Sequence, residues 1–158
     1  MTVIDENAIV NNYPGPQAAP MTDVFRNRPG YALRRAANAM MAELARRLAT
    51  IDLRIAEASV LLLVNDRLDV TASEIGRTLD IQRANMVPLL GRLEDAGLIE
   101  RRPIDGKSQA VLLTTKGQTR RAEADSITDT FEDELLQRIA PEHRDHLVPA
   151  LGALWRAD

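Results

Sequence analysis

The chain contains no cysteine, which excludes disulfides, thiolate metal sites and thiol-based oxidant sensing and fits a reducing compartment. Aromatic residues are almost as scarce. One Trp, two Tyr and two Phe among 158 residues leave a core to be built from Leu, Ala, Ile, Val and Met. No apolar run approaches the roughly 20 residues needed to span a bilayer. The opening "MTVIDENAIVNNYPGP" lacks the basic-then-apolar pattern of an export signal, so a cytoplasmic location with no membrane partner is expected. There is no Ser-His-Asp arrangement, phosphate loop or glycine-rich nucleotide fingerprint, so neither an enzyme nor a cofactor is expected. His143 and His146 lie three apart beside Glu142 and Asp145, but no further His and no Cys is present to complete a metal site.

What is present points to a globular chain of one domain, or one domain with extra helices: 45% hydrophobic and 27% charged residues. The net charge of −3 argues against a nonspecific polycation but leaves room for a local basic face. The acidity gathers at the C-terminal end. Residues 117–158 carry five Arg or Lys against nine Asp or Glu, whereas residues 1–54 carry seven against five.

Residues 1–29, with "NNYPGPQAAP" and "NRPG", read as an irregular N-terminal arm. From Tyr31 to about Thr50, Leu33, Ala37, Met40, Leu44 and Leu48 recur at helical spacing. A second, very apolar helix is predicted over 55–66. Thr71 and Glu74 have the spacing of a capping box at the start of a third. A fourth begins near Gln82 and stops at Gly97. "LIERRP" and "QAVLLTT" flank the turn-forming cluster "IDGKS" and read as a hairpin. A long helix follows from about Lys116 to Ile139, striped by Ala124, Ile127, Phe131 and Leu135. Pro141 opens a last one with Leu147, Val148, Leu151, Leu154 and Trp155. The first and last helices carry apolar stripes with little of their own chain to pack on, as a helical homodimer interface requires.

Residues 72–90 fit a helix-turn-helix. Gly76 lets the two helices approach, while Ile75, Leu79, Ile81, Met86 and Leu89 are placed to fill the angle between them. Asp80 occupies the turn, where the backbone is often left-handed and aspartate is among the few residues that tolerate it. The second helix of such a unit presents its N-terminal residues to base edges in the major groove. Those residues are Gln82, Arg83, Ala84 and Asn85. Arginine can bond guanine, Gln or Asn can bond adenine, and Ala84 can lie against a thymine methyl. Directly after comes a basic hairpin with Arg101, Arg102, Asp105, Lys107 and Ser108, a wing suited to phosphates or the minor groove. Pro88, inside the reading helix, removes one backbone bond, the one Ala84 carbonyl would accept.

The runs "SEIGRTLDIQRANMVPLLGRLEDAGLIERR" and "DGKSQAVLLT" resemble the MarR family of bacterial transcription regulators. The resemblance covers about residues 30–156. It departs from the family at Lys107, where arginine is usual, so the planar fork is replaced by a flexible point charge. The resemblance implies a mainly α chain: a winged helix-turn-helix domain over 55–114 and dimerisation helices over 30–54 and 115–158. It implies a homodimer on a roughly palindromic double-stranded DNA operator, usually a repressor, released by a small effector such as an aromatic acid or its coenzyme A thioester. For the anionic group of such an effector the candidates are Arg34 and Arg35, with Tyr31 to stack and Asn38 one turn on. The alternative is a winged helix used for protein contacts without DNA. That reading predicts apolar residues on the exposed face of helix 82–96 and a neutral wing.

Overall fold

The structure, a computed structural model, describes residues 25, 27–65, 67, 69–104 and 108–155. The first 24 residues, most of the expected arm, lie outside the described residues, as do Asp105 and Lys107 of the hairpin tip. Two compact units divide the chain, Met1–Met40 and Met41–Asp158. Helix α1, Pro29–Leu48, contributes its first part to one and its last two turns to the other.

Within the second unit, α1 ends at Leu48 in a short 3-10 turn, Ala49–Ile51, closed by left-handed Asp52. Then follow α2 (Ile55–Val64), α3 (Ala72–Thr78), α4 (Arg83–Asp95), β1 (Ile99–Pro103), β2 (Gln109–Leu113), α5 (Thr115–Gln137) and α6 (Pro141–Trp155). The expected elements are all present, with α2 two residues shorter because Asn65 turns to φ 25° and ends it. The strands pair antiparallel from Ile99↔Leu113 to Pro103↔Gln109. Thr71 bridges Ala110 on the other edge of β2, and Val111 N–H donates to Val70 carbonyl at 2.8 Å. That arrangement, three helices and a wing with a third short pairing segment, is a winged helix-turn-helix.

Burial explains the assembly. Val60, Leu61 and Val64 of α2 are fully buried against Ile75 of α3 and Met86, Leu89, Leu90 and Leu93 of α4. Each such side chain contributes about 1.5–3 kcal/mol of transfer free energy. Leu48, Leu53 and Ala124 join the same cluster, so the end of α1 and the middle of α5 pack on the winged helix's own core. Polar ties add to this. Arg47 lies 2.5 Å from Glu134 of α5 and 2.8 Å from Glu43, with its guanidinium 5.5 Å from the Phe131 ring. Arg120 donates to Ile51 carbonyl.

Local signals fix the corners. The Thr71 hydroxyl accepts Glu74 N–H at 3.3 Å while Glu74 accepts Thr71 N–H at 2.9 Å, the expected capping box. Thr71 N–H, and the Thr71 hydroxyl donating to the same carboxylate at 3.1 Å, hold the Glu74 carboxyl below the usual carboxylate range. Gly97 takes φ 68° after α4, with Gly97 N–H on Glu94 carbonyl and Leu98 N–H on Leu93 carbonyl, the Schellman pattern.

Candidate nucleic-acid interface

The helix-turn-helix is built around Asp80. Its φ of 51° is left-handed, and Ile81 N–H returns to Gly76 carbonyl at 2.8 Å, so α3 closes and the chain turns into α4 across four residues, Leu79 to Gln82. A side chain at Gly76 would meet Ile81 carbonyl at 3.1 Å and Met86 at 3.5 Å, which is why the smallest residue stands there. Leu79 and Ile81 are half-buried against the core, and Ile75, Met86 and Leu89 are buried, as their spacing predicts.

The turn delivers Gln82, Arg83, Ala84 and Asn85 to the start of α4, all four exposed. Gln82 is the N-cap by backbone conformation, but its side chain makes no capping bond. Its amide is therefore available to an outside partner. Two clefts flank the helix start. One, of about 560 Å³, brings Gln82 and Arg83 together with Arg77 of α3 and Arg101 of β1 over a floor of Ile81, Met86 and Leu90. The other, of about 610 Å³, joins Gln82 and Asn85 with Pro88 and Arg92. The first gathers three arginines beside one carboxylate residue, Asp80, a surface with a cationic excess suited to phosphate oxygens.

Two residues of this surface escaped the sequence reading. Arg77 sits on the first helix of the pair, outside the usual reading positions, and only the folded turn sets it beside Arg83. Val87 is 67% exposed, one turn after Arg83 and Ala84, where helical spacing alone could have found it. Its methyls suit a thymine, and it is the one large hydrophobic side chain exposed on α4 among the described residues, with Ala84 and Pro88 exposed beside it.

The wing arginines are engaged with carboxylates. Arg102 lies 2.6 Å from Glu100 and is 67% exposed. Exposed pairs contribute only about 0–1 kcal/mol, so a phosphate can displace Glu100 at little cost. Arg101 is more enclosed. Its Nε approaches Glu94 to 3.2 Å without hydrogen-bond geometry, tying β1 to the last turn of α4. Ser108 is half-buried at the start of the returning strand, its carbonyl accepting Ile104 N–H at 2.9 Å.

In the first unit, Tyr31 stacks on Phe25 with centroids 5.2 Å apart, and Arg34 and Arg35 lie 5.4 and 6.0 Å from its ring. Arg35 also donates to the Tyr31 hydroxyl at 3.4 Å. Three of the four effector candidates thus meet in one cluster, and Phe25 is an addition the sequence reading lacked. Asn38 is exposed on the same helix, with no contact to that cluster among the described residues.

Residues 51–109 match the MarR family. The transcriptional repressor CouR is 31% identical, aligns with 88% of this chain and 100% of its own, and superposes with a TM-score of 0.77. The chain belongs to the MarR family. It is a DNA-binding transcription regulator of a non-enzymatic family. CouR bound to a 23-mer DNA duplex is 33% identical over 87% of this chain and 99% of its own, with a TM-score of 0.78. CouR bound to p-coumaroyl-CoA matches at 31% identity over 88% and 99%, with a TM-score of 0.77. The Staphylococcus aureus MepR–DNA complex shares the MarR fold at 23% identity, covering 80% of this chain and 94% of its own, with a TM-score of 0.72. No curated protein matches. No helix among the described residues is long and apolar enough to cross a membrane.

Proposed function

We propose that the protein is a homodimeric repressor that binds a roughly palindromic operator and leaves it when a small aromatic acid, or its coenzyme A thioester, binds. The observation that carries the DNA reading is the gathering of Gln82, Arg83 and Asn85 at one exposed helix start, beside Arg77 and Arg101. Arg83 reads guanine; Gln82 and Asn85 read adenine; Ala84 and Val87 meet thymine methyls. Arg101, Arg102 and the wing residues Asp105, Lys107 and Ser108 position the duplex through its backbone or minor groove.

Residues 30–54 and 115–158 serve as dimerisation helices, and 55–114 as the DNA-binding domain. Val148 and Leu154 of α6 are 70% and 69% exposed, too apolar to be left to solvent in a lone chain. The effector reading rests on the Tyr31 cluster, where Arg34 and Arg35 supply cations near an aromatic face, and on the p-coumaroyl-CoA bound by the CouR relative. Release follows from linkage: a ligand that prefers the spacing of reading heads unsuited to two half-sites weakens DNA binding by the same factor.

One titration tests the reading. Binding to a promoter duplex should fall steeply with salt, and Arg83→Ala should reduce the preference for operator over scrambled duplex by about tenfold while leaving scrambled-duplex binding nearly unchanged. p-Coumaroyl-CoA or the free acid should lower operator affinity. Absence of salt-dependent binding to any promoter duplex would overturn the regulator reading; an unchanged affinity with both ligands would overturn the effector class.

A further inference from the structure

Among the described residues one charged side chain is buried, the carboxylate of Glu57 in the first turn of α2, with the residue 6% exposed. Its Oε2 accepts Arg54 N–H at 2.9 Å and its Oε1 accepts Arg92 Nε at 2.7 Å. The pair ties the reading helix α4 to α2. It also does something a purely structural pair need not do. Only the Nε edge of Arg92 is used, both η nitrogens lack a partner among the described residues, and 43% of the side chain stays exposed.

Arg92 borders the 610 Å³ cleft that Gln82, Asn85 and Pro88 also line. Asn85 and Arg92 are seven residues apart, two turns along one face of α4 and about 10 Å apart along its axis at 1.5 Å per residue. A helix whose first turn reads bases lies in a groove about 12 Å wide, walled by phosphates. A residue two turns beyond the reading turn is therefore placed past the bases that turn reads, where an arginine side chain can reach the phosphates that wall the groove. The carboxylate lining the cleft is that of Asp80, on the turn side with Gln82, which leaves Arg92 as the cationic end.

We infer that Arg92 is a further DNA-backbone residue, its guanidinium held by Glu57 so that the two η nitrogens meet a phosphate flanking the bases read by Gln82 and Asn85. Glu57 is the positioning residue: it orients the fork before DNA arrives and so removes part of the ordering cost. This rests on the DNA-binding reading of α4. It adds one cation to the contact set and links register on the duplex to the α2–α4 junction.

The test uses the full-length chain, a duplex that the wild type selects from a random-sequence pool, and a scrambled duplex of equal length. Arg92→Gln should weaken both duplexes by about tenfold at low salt and reduce the slope of log affinity against log salt by about one, leaving their ratio unchanged. Removing Arg92 alone orphans a buried carboxylate and can unfold the protein. The Glu57→Gln/Arg92→Gln pair removes that charge, and the reduced slope should persist in it with circular dichroism matching the wild type. Arg92→Lys should keep the slope, since the charge remains, while losing affinity because a lysine cannot present the fork. A folded double variant with the wild-type slope would overturn the proposal while the DNA reading stood. A wild type that selects no duplex and shows no salt-dependent binding would overturn both.

Discussion

Gly117 and Gly91 look alike in the sequence, each a glycine within a predicted helix, and the structure gives them opposite roles. A Cβ at Gly117 would lie 1.9 Å from Leu98 carbonyl oxygen, a backbone atom that cannot move aside, whereas a Cβ at Gly91 meets nothing within 4 Å. Gly117 also donates its N–H to the Thr114 hydroxyl at 3.0 Å, the cap of α5, and Thr114 in turn donates to Gly97 carbonyl at 2.7 Å. The start of α5 is thus pinned to the end of α4 where only hydrogen fits. Gly117→Ala is expected to cost about 3 kcal/mol or more, as forced overpacking against backbone does. Gly91→Ala should stabilise by about 0.5–1 kcal/mol through lower backbone entropy in the unfolded chain. Urea unfolding of the two variants checks both signs. Neither role was legible in "TTKGQT" or "LLGRLE", because the deciding neighbour of Gly117 comes from the far side of the hairpin. Asp80 and Gly97 were legible, since their requirement is local: a left-handed backbone immediately after a helix.

At the scale of elements, α4 runs unbroken from Arg83 to Asp95 through Pro88. The missing proline amide leaves Ala84 carbonyl without its helical donor, and Ala84 is exposed, so water can satisfy it. That removes part of the usual penalty of about 3 kcal/mol for an internal proline, and a slight bend of the helix would relieve the ring's clash with the same turn. Such a bend would re-aim Gln82, Arg83, Ala84 and Asn85, the residues proposed to read DNA. Pro88→Ala should raise stability by about 1–2 kcal/mol and change the ratio of operator to scrambled-duplex affinity, because Gln82 and Asn85 share their cleft with Pro88. A more stable protein with unaltered preference would show that the bend has no part in aiming the helix. Element order, the capping box, the hairpin and the placing of Gln82, Arg83, Ala84 and Asn85 at the start of α4 could all be read from spacing, since each is set by residues within a turn or two. The Glu57–Arg92 pair, the junction of Arg77 with Arg83, and the packing of Leu48 and Leu53 into the winged-helix core could not. Each joins elements whose relative placement no local pattern encodes. α6, by contrast, runs from Pro141 to Trp155 through Pro149, as the spacing of Leu147, Val148, Leu151 and Leu154 predicts.

In the second unit as a whole, charge pairing links the end of α1 to α5 and should govern acid stability. Arg47 holds the Glu134 carboxyl below its ordinary value of 4.5, and Arg47 with Arg46 does the same to Glu43. Arg47 is itself pushed upward by Glu134 first and Glu43 second, so it stays charged throughout. The sign follows from proton counting. Near pH 4.5 the unfolded chain binds more protons at these carboxyls than the folded one, so stability rises with pH there. Their contribution is complete above about pH 5.5 and is lost as pH falls through the depressed folded values. The melting temperature should therefore be flat from pH 7 to about 5.5 with respect to these groups and drop below 4.5. Arg47→Met keeps apolar contact with Phe131 but removes the main cation on both carboxyls, leaving Arg46 on Glu43. It should lower the melting temperature at pH 7 and flatten the acid limb. Some acid sensitivity must persist in this variant, because Glu74 is held down by Thr71 N–H and hydroxyl rather than by Arg47. A melting temperature that falls equally steeply below pH 4.5 with and without Arg47 would mean that other groups carry the acid transition and that the α1–α5 ion pairs add nothing to it.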